Sequence, residues 1–148
     1  MNSSPLEKWH QMVSDLDASR IEDLIDEHCI FYSPIVFKPQ EGKRLTVMYL
    51  TAAYKMFSEA NDFRYVKEIV QGHEAVLEFN AEVDGILIDG IDMITWNNTG
   101  KIIAFKVMIR PLKAIDKIKE KMFEQLSQMT TFQKLKLKGG MIWDKFKS

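Results

Sequence analysis

The chain has a single cysteine, Cys29, among its 148 residues, so no disulfide can form within it. Its three histidines, His10, His28 and His73, show no His-x-x-x-His or Glu-x-x-His spacing, and we expect no metal site. The sequence also lacks a glycine-rich phosphate loop and a serine in a nucleophile-elbow motif. These absences argue against metalloenzymes, nucleotide-binding enzymes and serine hydrolases, and we expect no cofactor.

Long apolar runs are missing as well. No stretch approaches the roughly 20 apolar residues that a membrane-spanning helix needs. The first five residues, Met-Asn-Ser-Ser-Pro, have neither the basic region nor the apolar region of a secretory signal. We therefore expect a cytoplasmic protein, and the lone cysteine is consistent with a reducing compartment.

The formal net charge is only -1, which gives no reason to expect a nucleic-acid partner. The charge is uneven, however: residues 1–110 carry a balance of -6 and residues 111–148 a balance of +5. The basic segment 128–148 alternates lysine and leucine at 134–138, and Trp143 and Phe146 follow among lysines. This composition predicts a helix that packs over the pocket mouth or on a second subunit, with its lysines in solvent. A membrane-surface or acidic-partner contact is the alternative, and we do not favour it.

Hydrophobic residues make up 46% of the chain and charged residues 28%, as in an ordinary globular domain. Ser4-Pro5-Leu6-Glu7 is a capping box with proline at the first helical position, and it predicts a helix to about Leu16. A second short helix is predicted over 20–27, then a strand over 29–32 that Ser33-Pro34 ends. Residues 34–42 are predicted to form a loop.

Helical spacing returns over 43–60, and strand patterns follow in the rest of the chain. The pattern over 63–70 is mixed, whereas 74–83 alternates apolar and polar residues cleanly. Residues 88–96 and 101–109 form a hairpin, and a last helix is predicted from Ile115 to Met129. Helices, then consecutive strands, then a helix predict an α+β domain. We expect a curved antiparallel sheet wrapped around the N-terminal helices like a cone, whose open end is a small-molecule pocket.

The most informative residue is Asp92, a carboxylate among large apolar side chains of the hairpin strand 88–96. Burial of that charge costs several kcal/mol, so the group must be paired, hydrated or protonated. A protonated carboxyl in an apolar pocket is a hydrogen-bond donor. Asp92 is thus the candidate catalytic acid or donor, and an ion pair is the alternative.

The hairpin register separates these two alternatives. A three-residue loop with a left-handed Gly100 places Asn97 opposite Lys101 and Asp92 opposite Lys106, which favours an ion pair. A four-residue loop places Asp92 opposite Phe105, on the apolar face. The residues of the turn favour the first register, whereas the distribution of apolar and charged side chains between the two faces of the hairpin favours the second. A β-bulge could satisfy both.

Several of these features together resemble one known superfamily. They are the two N-terminal helices, Tyr32-Ser33-Pro34, Gly42 before a long helix, and the Asp-x-x-Asp that precedes an aromatic residue, a turn and Gly-Lys-Ile. Over residues 6–127 the chain resembles the SnoaL-like branch of the nuclear transport factor 2-like superfamily, and its hairpin is most similar to that of ketosteroid isomerase. The resemblance implies a cystatin-like fold over 1–127, with 128–148 as an extension of the same domain.

The resemblance also implies roles for particular residues. Asp92 matches the isomerase aspartate that stays protonated and donates to the substrate oxyanion. Ser33 stands where the isomerase has its general base, and a serine cannot act alone as that base. The position of the isomerase's oxyanion tyrosine falls near Met12. The related limonene epoxide hydrolase uses Arg-x-Asp where this chain has Gly90-x-Asp92, with Val107 where a second acid might stand. Both residue sets are therefore incomplete.

The candidate pocket residues share an apolar or hydroxyl-bearing side chain and a predicted place near the open end of the cone. They are Trp9, Met12, Tyr32, Ser33, Phe57, Phe105, Val107 and Ile109. For each apolar one, packing in the core is the plainer interpretation, and the hydroxyls of Tyr32 and Ser33 could equally bond nearby backbone.

These observations lead to two hypotheses of different classes. In the first, the cavity binds a small, mostly apolar molecule and Asp92 serves isomerisation or hydrolysis as an acid or donor. In the second, the domain is a non-catalytic interaction module. The resemblance implies a homodimer through the exposed sheet face in either case.

Overall fold

The computed structural model describes residues 4–128, which form a mixed α+β domain built on one six-stranded sheet. The elements follow the chain in this order: α1 (Pro5–Asp15), a 3-10 turn (Ala18–Arg20), α2 (Ile21–Leu24), β1 (Ile25–Tyr32), β2 (Gln40–Glu41), α3 (Lys43–Ser58), β3 (Asn61–Gln71), β4 (Glu74–Val83), β5 (Ile86–Trp96), β6 (Ile102–Arg110) and α4 (Leu112–Ser127).

The strand order in the sheet is β2-β1-β6-β5-β4-β3. Strands β3 to β6 form an antiparallel meander, and β1 joins it by pairing parallel to β6. Register shifts occur in β1, in β3 and in the β5–β6 pair. Such bulges bend strands, and the sheet is accordingly curved and unclosed. The predicted α+β class and curved sheet are confirmed.

The N-terminus of α1 begins as the sequence predicts. Ser4 Oγ accepts from the Glu7 backbone N–H, and the Glu7 carboxylate accepts from the Ser4 N–H, so both halves of the capping box are present. The helix buries Leu6, Trp9 and Met12 against the sheet side of the domain. One face of α1 is thereby fixed over the inner face of the sheet.

Two predictions about the first third of the chain are wrong. The helix predicted over 20–27 ends at Leu24, because Ile25 pairs with Ile102 in the sheet and Asp26 accepts a 3.1 Å hydrogen bond from Asn97 Nδ2. The loop predicted over 34–42 contains the short strand β2, which pairs with β1. In both places a long-range contact overrides the local pattern.

The core lies between the helices and the inner face of the sheet. Strand β4 alternates as predicted, with Ala75, Leu77, Phe79, Ala81 and Val83 buried. The C-terminal helix α4 buries Ala114, Ile118, Met122 and Leu126.

None of the helices in residues 4–128 is long and apolar enough to cross a bilayer.

Candidate functional site

The hairpin between β5 and β6 decides where Asp92 points. Asn97 N–H donates to the Lys101 carbonyl over 2.9 Å, and Gly100 adopts a left-handed φ of 81°, as the three-residue loop predicts. Trp96 then pairs with Ile102 but Thr95 pairs with Ala104, so one residue of β6 bulges. The bulge shifts the register beyond it, and Asp92 lies opposite Val107, not Lys106 or Phe105.

Because of this bulge, Asp92 shares the inner face of the sheet with the core side chains. Asp92 lies beside the fully buried Leu77 of β4 and is itself only 7% exposed. No lysine or arginine contacts it among the described ion pairs. The ion-pair alternative is therefore wrong for this residue, and Lys106 instead lies over the ring of Tyr32, with Nζ 4.7 Å from the ring centroid.

A short chain of hydrogen bonds holds the Asp92 carboxyl. Tyr65 of β3 donates its hydroxyl to Asp92 Oδ2 over 2.8 Å, and Trp9 of α1 donates its indole N–H to the Tyr65 oxygen over 3.0 Å. The ring of Trp9 also packs on Phe105, with 5.0 Å between centroids. Residues from α1, β3 and β5 thus meet at one carboxyl group.

Burial raises the pKa of Asp92 to about 7, and the hydrogen bond from Tyr65 opposes that rise by stabilising the charged form. The same surroundings raise the pKa of Tyr65 well above its ordinary value, first by burial and then by the nearby Asp92 charge. Near neutral pH the site thus offers a carboxyl that is in part protonated beside a neutral phenol. A neutral carboxyl can donate a hydrogen bond or a proton.

A cavity of about 430 Å³ opens above this carboxyl. Its walls come from the C-terminal half of α1, from α3 and from β3, and Asp92, Phe79 and Phe105 belong to its floor. The complete lining is Trp9, Val13, Ser14, Leu16, Leu50, Ala53, Tyr54, Phe57, Ser58, Ala60, Asp62, Phe63, Tyr65, Phe79, Asp92 and Phe105. The exposed members Ser14, Leu16, Ser58 and Asp62 mark the mouth, while the aromatic members make the interior apolar.

Four of the predicted site residues meet at this cavity: Asp92, Trp9, Phe57 and Phe105. Their contact with a ligand stays a prediction. Met12 does not reach the cavity, because it is fully buried in the core one turn along α1 from Trp9.

Tyr32, Ser33, Val107 and Ile109 are also placed away from the lining. Tyr32 lies on the outer face beside Lys106, because Phe31 takes the inner position next to Phe105. Ser33 Oγ accepts from the backbone N–H groups of Ile35 and Val36 at 3.0 and 3.3 Å, so its hydroxyl shapes the chain before the loop.

Val107 and Ile109 of β6 are half-buried on the inner face and pack against the core. Ile109 lies opposite Gly90, further along the hairpin from the cavity floor. The inner-face residues of β6 therefore serve two places: Phe105 lines the cavity, whereas Val107 and Ile109 pack in the core.

Sequence reasoning missed Tyr65, which is the only side chain bonded to Asp92 in the described residues. Phe63 and Tyr65 alternate toward the inner face, but β3 carries a register shift between Tyr65 and Lys67. The shift interrupts the alternation and hides the pattern. An inward tyrosine two residues from an inward phenylalanine was the available signal.

Residues 4–128 contain no group of three or more His, Cys, Asp or Glu side chains close enough to hold a metal ion. The basic segment predicted over 128–148 lies outside the described residues except for Gln128, so its predicted roles stay predictions. At the cavity mouth, Asp62 pairs with Arg64.

Comparison of the structure with solved structures finds several similar proteins. A steroid delta-isomerase from Pseudomonas aeruginosa is 31% identical over 83% of this chain and 89% of that one, with a TM-score of 0.78. An uncharacterized protein with a cystatin-like fold from Silicibacter pomeroyi is 26% identical over 88% of this chain and 90% of that one, also with a TM-score of 0.78.

A putative SnoaL-like polyketide cyclase from Shewanella denitrificans, at 14% identity and a TM-score of 0.55, covers 74% of this chain and 90% of its own and shares the fold alone. No protein-family model matches the chain. A search of curated proteins finds no match either.

Proposed function

Since the chain belongs to the nuclear transport factor 2-like (SnoaL-like) superfamily, we propose that its cavity binds a small, mostly apolar molecule bearing a carbonyl-type oxygen. In this proposal the neutral carboxyl of Asp92 donates a hydrogen bond to that oxygen. The likeness to a steroid delta-isomerase supports a rigid, apolar ligand of several fused or linked rings. A cavity of about 430 Å³ has room for such a molecule.

One observation carries the proposal: Asp92 is buried at the floor of an apolar cavity, and one of its carboxyl oxygens is available to a ligand. Oδ2 is bonded to Tyr65, whereas Oδ1 has no hydrogen-bond partner in the described part of the chain and is not fully enclosed by protein. Because Asp92 lines the cavity, Oδ1 opens onto it. A donor aimed into an apolar space interacts more strongly with a polar oxygen than the same donor in water.

The reaction class that such a donor favours is isomerisation through an enol. A hydrogen bond from Asp92 to a carbonyl oxygen stabilises the negative charge that forms when a proton leaves the neighbouring carbon. Return of that proton to a different carbon moves the double bond without changing the composition. Within residues 4–128 the other carboxylate of the cavity lining is Asp62 at the mouth, and we propose it as the group that moves the proton.

The test combines binding with turnover. We expect cyclic β,γ-unsaturated ketones to raise the melting temperature of the wild-type protein and to convert to conjugated enones, followed by ultraviolet absorbance. Asp92→Ala should lower kcat/KM on the order of 10²-fold or more, as loss of one oxyanion donor does elsewhere. Asp62→Asn should lower kcat and leave ligand binding in place.

Asp89→Asn is the matched control, because Asp89 lies on the same strand but on the opposite face, paired with Arg110. It should leave binding and turnover unchanged. Absence of both binding and turnover across a panel of apolar ketones would overturn the proposal. Binding without turnover would reject isomerisation and leave the ligand-binding role.

A second candidate function rests on the outer face of the sheet. Cross-strand neighbours there form an apolar patch, which we call the outer patch and which consists of Ile69, Val76, Ile91, Met93 and Met108. Ile69 and Met108 are 55% and 50% exposed, and Met93 is 38% exposed. Exposed contiguous apolar surface of this kind is typical of an association site.

We propose that a second copy of this chain covers the outer patch. Lys67 and Glu78 face each other at its edge, and Lys106 lies beside Met93. Charges of both signs around an apolar centre suit a surface that pairs with itself across a two-fold axis. A homodimer of this kind is compatible with the cavity, which opens on the other side of the sheet.

Light scattering after size-exclusion chromatography tests this second candidate. We expect a dimer for the wild type and a monomer for the double variant Met93→Glu/Met108→Glu, because two buried carboxylates per subunit would oppose association. Leu112→Glu is the control, since Leu112 is a similarly apolar, 73% exposed residue on α4. A wild-type monomer at high micromolar concentration would reject the dimer.

A further inference from the structure

The hydrogen-bond chain at the cavity floor runs from Trp9 through Tyr65 to Asp92 Oδ2, so the proton of a neutral Asp92 lies on Oδ1. An indole N–H is only a donor, so Trp9 must give its hydrogen to the Tyr65 oxygen. The single hydroxyl hydrogen of Tyr65 then points to Asp92 Oδ2, 2.8 Å away. Trp9 comes from α1 and Tyr65 from β3, so the chain also ties the first helix to the far edge of the sheet.

This direction leaves Tyr65 with nothing to donate to a ligand. A hydroxyl has one hydrogen, and here Asp92 receives it. The resemblance to ketosteroid isomerase implies two donors to the substrate oxygen, an aspartate and a tyrosine. In this chain the nearby tyrosine bonds the aspartate instead, which leaves Asp92 Oδ1 as the free polar atom of the pair.

The other polar groups of the lining do not add a second contact at the floor. Ser14, Ser58 and Asp62 are exposed residues of the mouth. The Tyr54 hydroxyl is sealed from solvent and has no hydrogen-bond partner within residues 4–128. Within the described residues, the floor therefore presents one directed hydrogen-bonding atom in apolar surroundings.

We infer that Trp9 and Tyr65 are positioning residues that orient Asp92, and that the site selects apolar molecules with a single terminal hydrogen-bond acceptor, such as a ketone. The inference rests on the proposed function and narrows its ligand class. A second polar group at the buried end of a ligand would lose its water and find no partner there. A polar group at the mouth end would stay in solvent.

Three ligands with one bicyclic skeleton test the selection: decalin without an acceptor, 2-decalone with one carbonyl, and a decalindione with a carbonyl on each ring. Binding is measured by isothermal titration calorimetry at pH 5.5, below the raised pKa of Asp92. We expect 2-decalone to bind the wild type at least tenfold more tightly than decalin. The second carbonyl of the dione should improve binding by less than twofold.

Tyr65→Phe and Trp9→Phe test the positioning role. Each should cut the preference for 2-decalone over decalin by threefold or more, and Tyr65→Phe should move the titration midpoint of Asp92 to higher pH, because it removes a donor to the charged form. The midpoint is read from the carboxyl carbon by NMR, assigned with Asp92→Asn. Tyr32→Phe makes the same chemical change on the outer face of the sheet, away from the cavity lining, and should alter neither quantity.

The outcomes separate the two claims. If no ligand of the series and no other apolar ketone binds the wild type, the proposed function fails. If ketones bind but Tyr65→Phe and Trp9→Phe keep both the preference and the midpoint, the positioning role alone is rejected. A dione that binds much more tightly than 2-decalone would reject the single-acceptor selection. Circular dichroism confirms folding, and Trp9→Phe carries the test if Tyr65→Phe does not fold.

Discussion

Phe79 and Gly90 face each other on neighbouring strands, and the ring of Phe79 occupies the space that a side chain at Gly90 would need. A β-carbon built at Gly90 would lie 2.7 Å from both Cε atoms of Phe79 and closer still to Cζ. The ring is held on its other sides by Phe57 and Phe63, with centroids 5.2 and 5.3 Å away. Glycine at position 90 thus makes room for a ring that lines the cavity.

Gly90→Ala should therefore destabilise the fold and disturb the cavity together. The ring of Phe79 is 1% exposed and closely packed, so it cannot move aside without displacing its aromatic neighbours. Overpacking of this kind typically costs about 1–3 kcal/mol. We expect a lower free energy of unfolding in urea and weaker binding of apolar ketones.

A double variant serves as the control for this prediction. Phe79→Leu removes the ring that the new methyl group would strike, so the Phe79→Leu/Gly90→Ala pair should lose less stability than the sum of its two single variants. Additive losses would mean that Gly90 acts through backbone freedom and not through the ring.

Asp92 makes stability depend on pH with a definite sign. Burial raises its folded-state pKa to about 7 from an ordinary 3.8, so between those values the folded protein holds a proton that the unfolded chain releases. Stability therefore falls as the pH rises from about 4 to about 7. A tenfold change in proton affinity is worth about 1.4 kcal/mol, so the full effect is on the order of 4 kcal/mol.

Asp92→Asn should abolish this dependence, because an amide keeps the shape of the carboxyl and does not ionise. We expect the variant to match the wild type near pH 4 and to unfold at higher denaturant concentration than the wild type at pH 8. Asp84→Asn is the reference, because the hydrogen-bonded ion pairs with Lys121 and Lys117 lower the pKa of Asp84 and keep its titration below this window. A wild-type stability that is flat or rising between pH 5 and 7 contradicts the burial argument.

The secondary structure of this fold can be predicted from the sequence where it depends only on residues within the element itself. The strict alternation of β4 and the capping box of α1 are both confirmed, because neither needs information from a distant part of the chain. The helix predicted over 20–27 fails for the opposite reason. Its last residues gain more from pairing with β6 than from another helical turn.

The candidate site shows the same division. Asp92 stands out in the sequence because a carboxylate is unusual on an apolar strand, and the hairpin turn follows from Gly100 and its neighbours. The face of the sheet to which Asp92 points, however, depends on one bulged residue of β6. The turn residues and the pattern of apolar side chains predict different registers there. The partner of Asp92, Tyr65, comes from a strand 27 residues away in sequence, which no local pattern reveals.

Two tyrosines of the cavity should respond oppositely to loss of their hydroxyl groups. Tyr65→Phe breaks two hydrogen bonds and leaves the Trp9 N–H without its acceptor, so we expect a loss of about 1–3 kcal/mol in unfolding free energy. Tyr54→Phe removes a sealed hydroxyl that has no partner in the described part of the chain, and it should be neutral or stabilising. Equal losses in the two variants would show that the Tyr65 contacts add nothing to stability. Both values come from urea unfolding at pH 5.5, where Asp92 is neutral.

Cys29 provides an independent probe of global unfolding. The residue is fully buried in β1, and burial raises the pKa of its thiol to about 11, so little thiolate forms at neutral pH. We expect an aromatic disulfide reagent to react with the native protein at a rate far below that of the denatured chain. The rate should rise with urea in proportion to the unfolded fraction. Gly90→Ala should speed the reaction in proportion to its loss of stability, whereas Tyr54→Phe should not. Fast stoichiometric labelling of the native wild type would show that β1 opens locally and that the core beside the cavity is less tightly closed than its packing indicates.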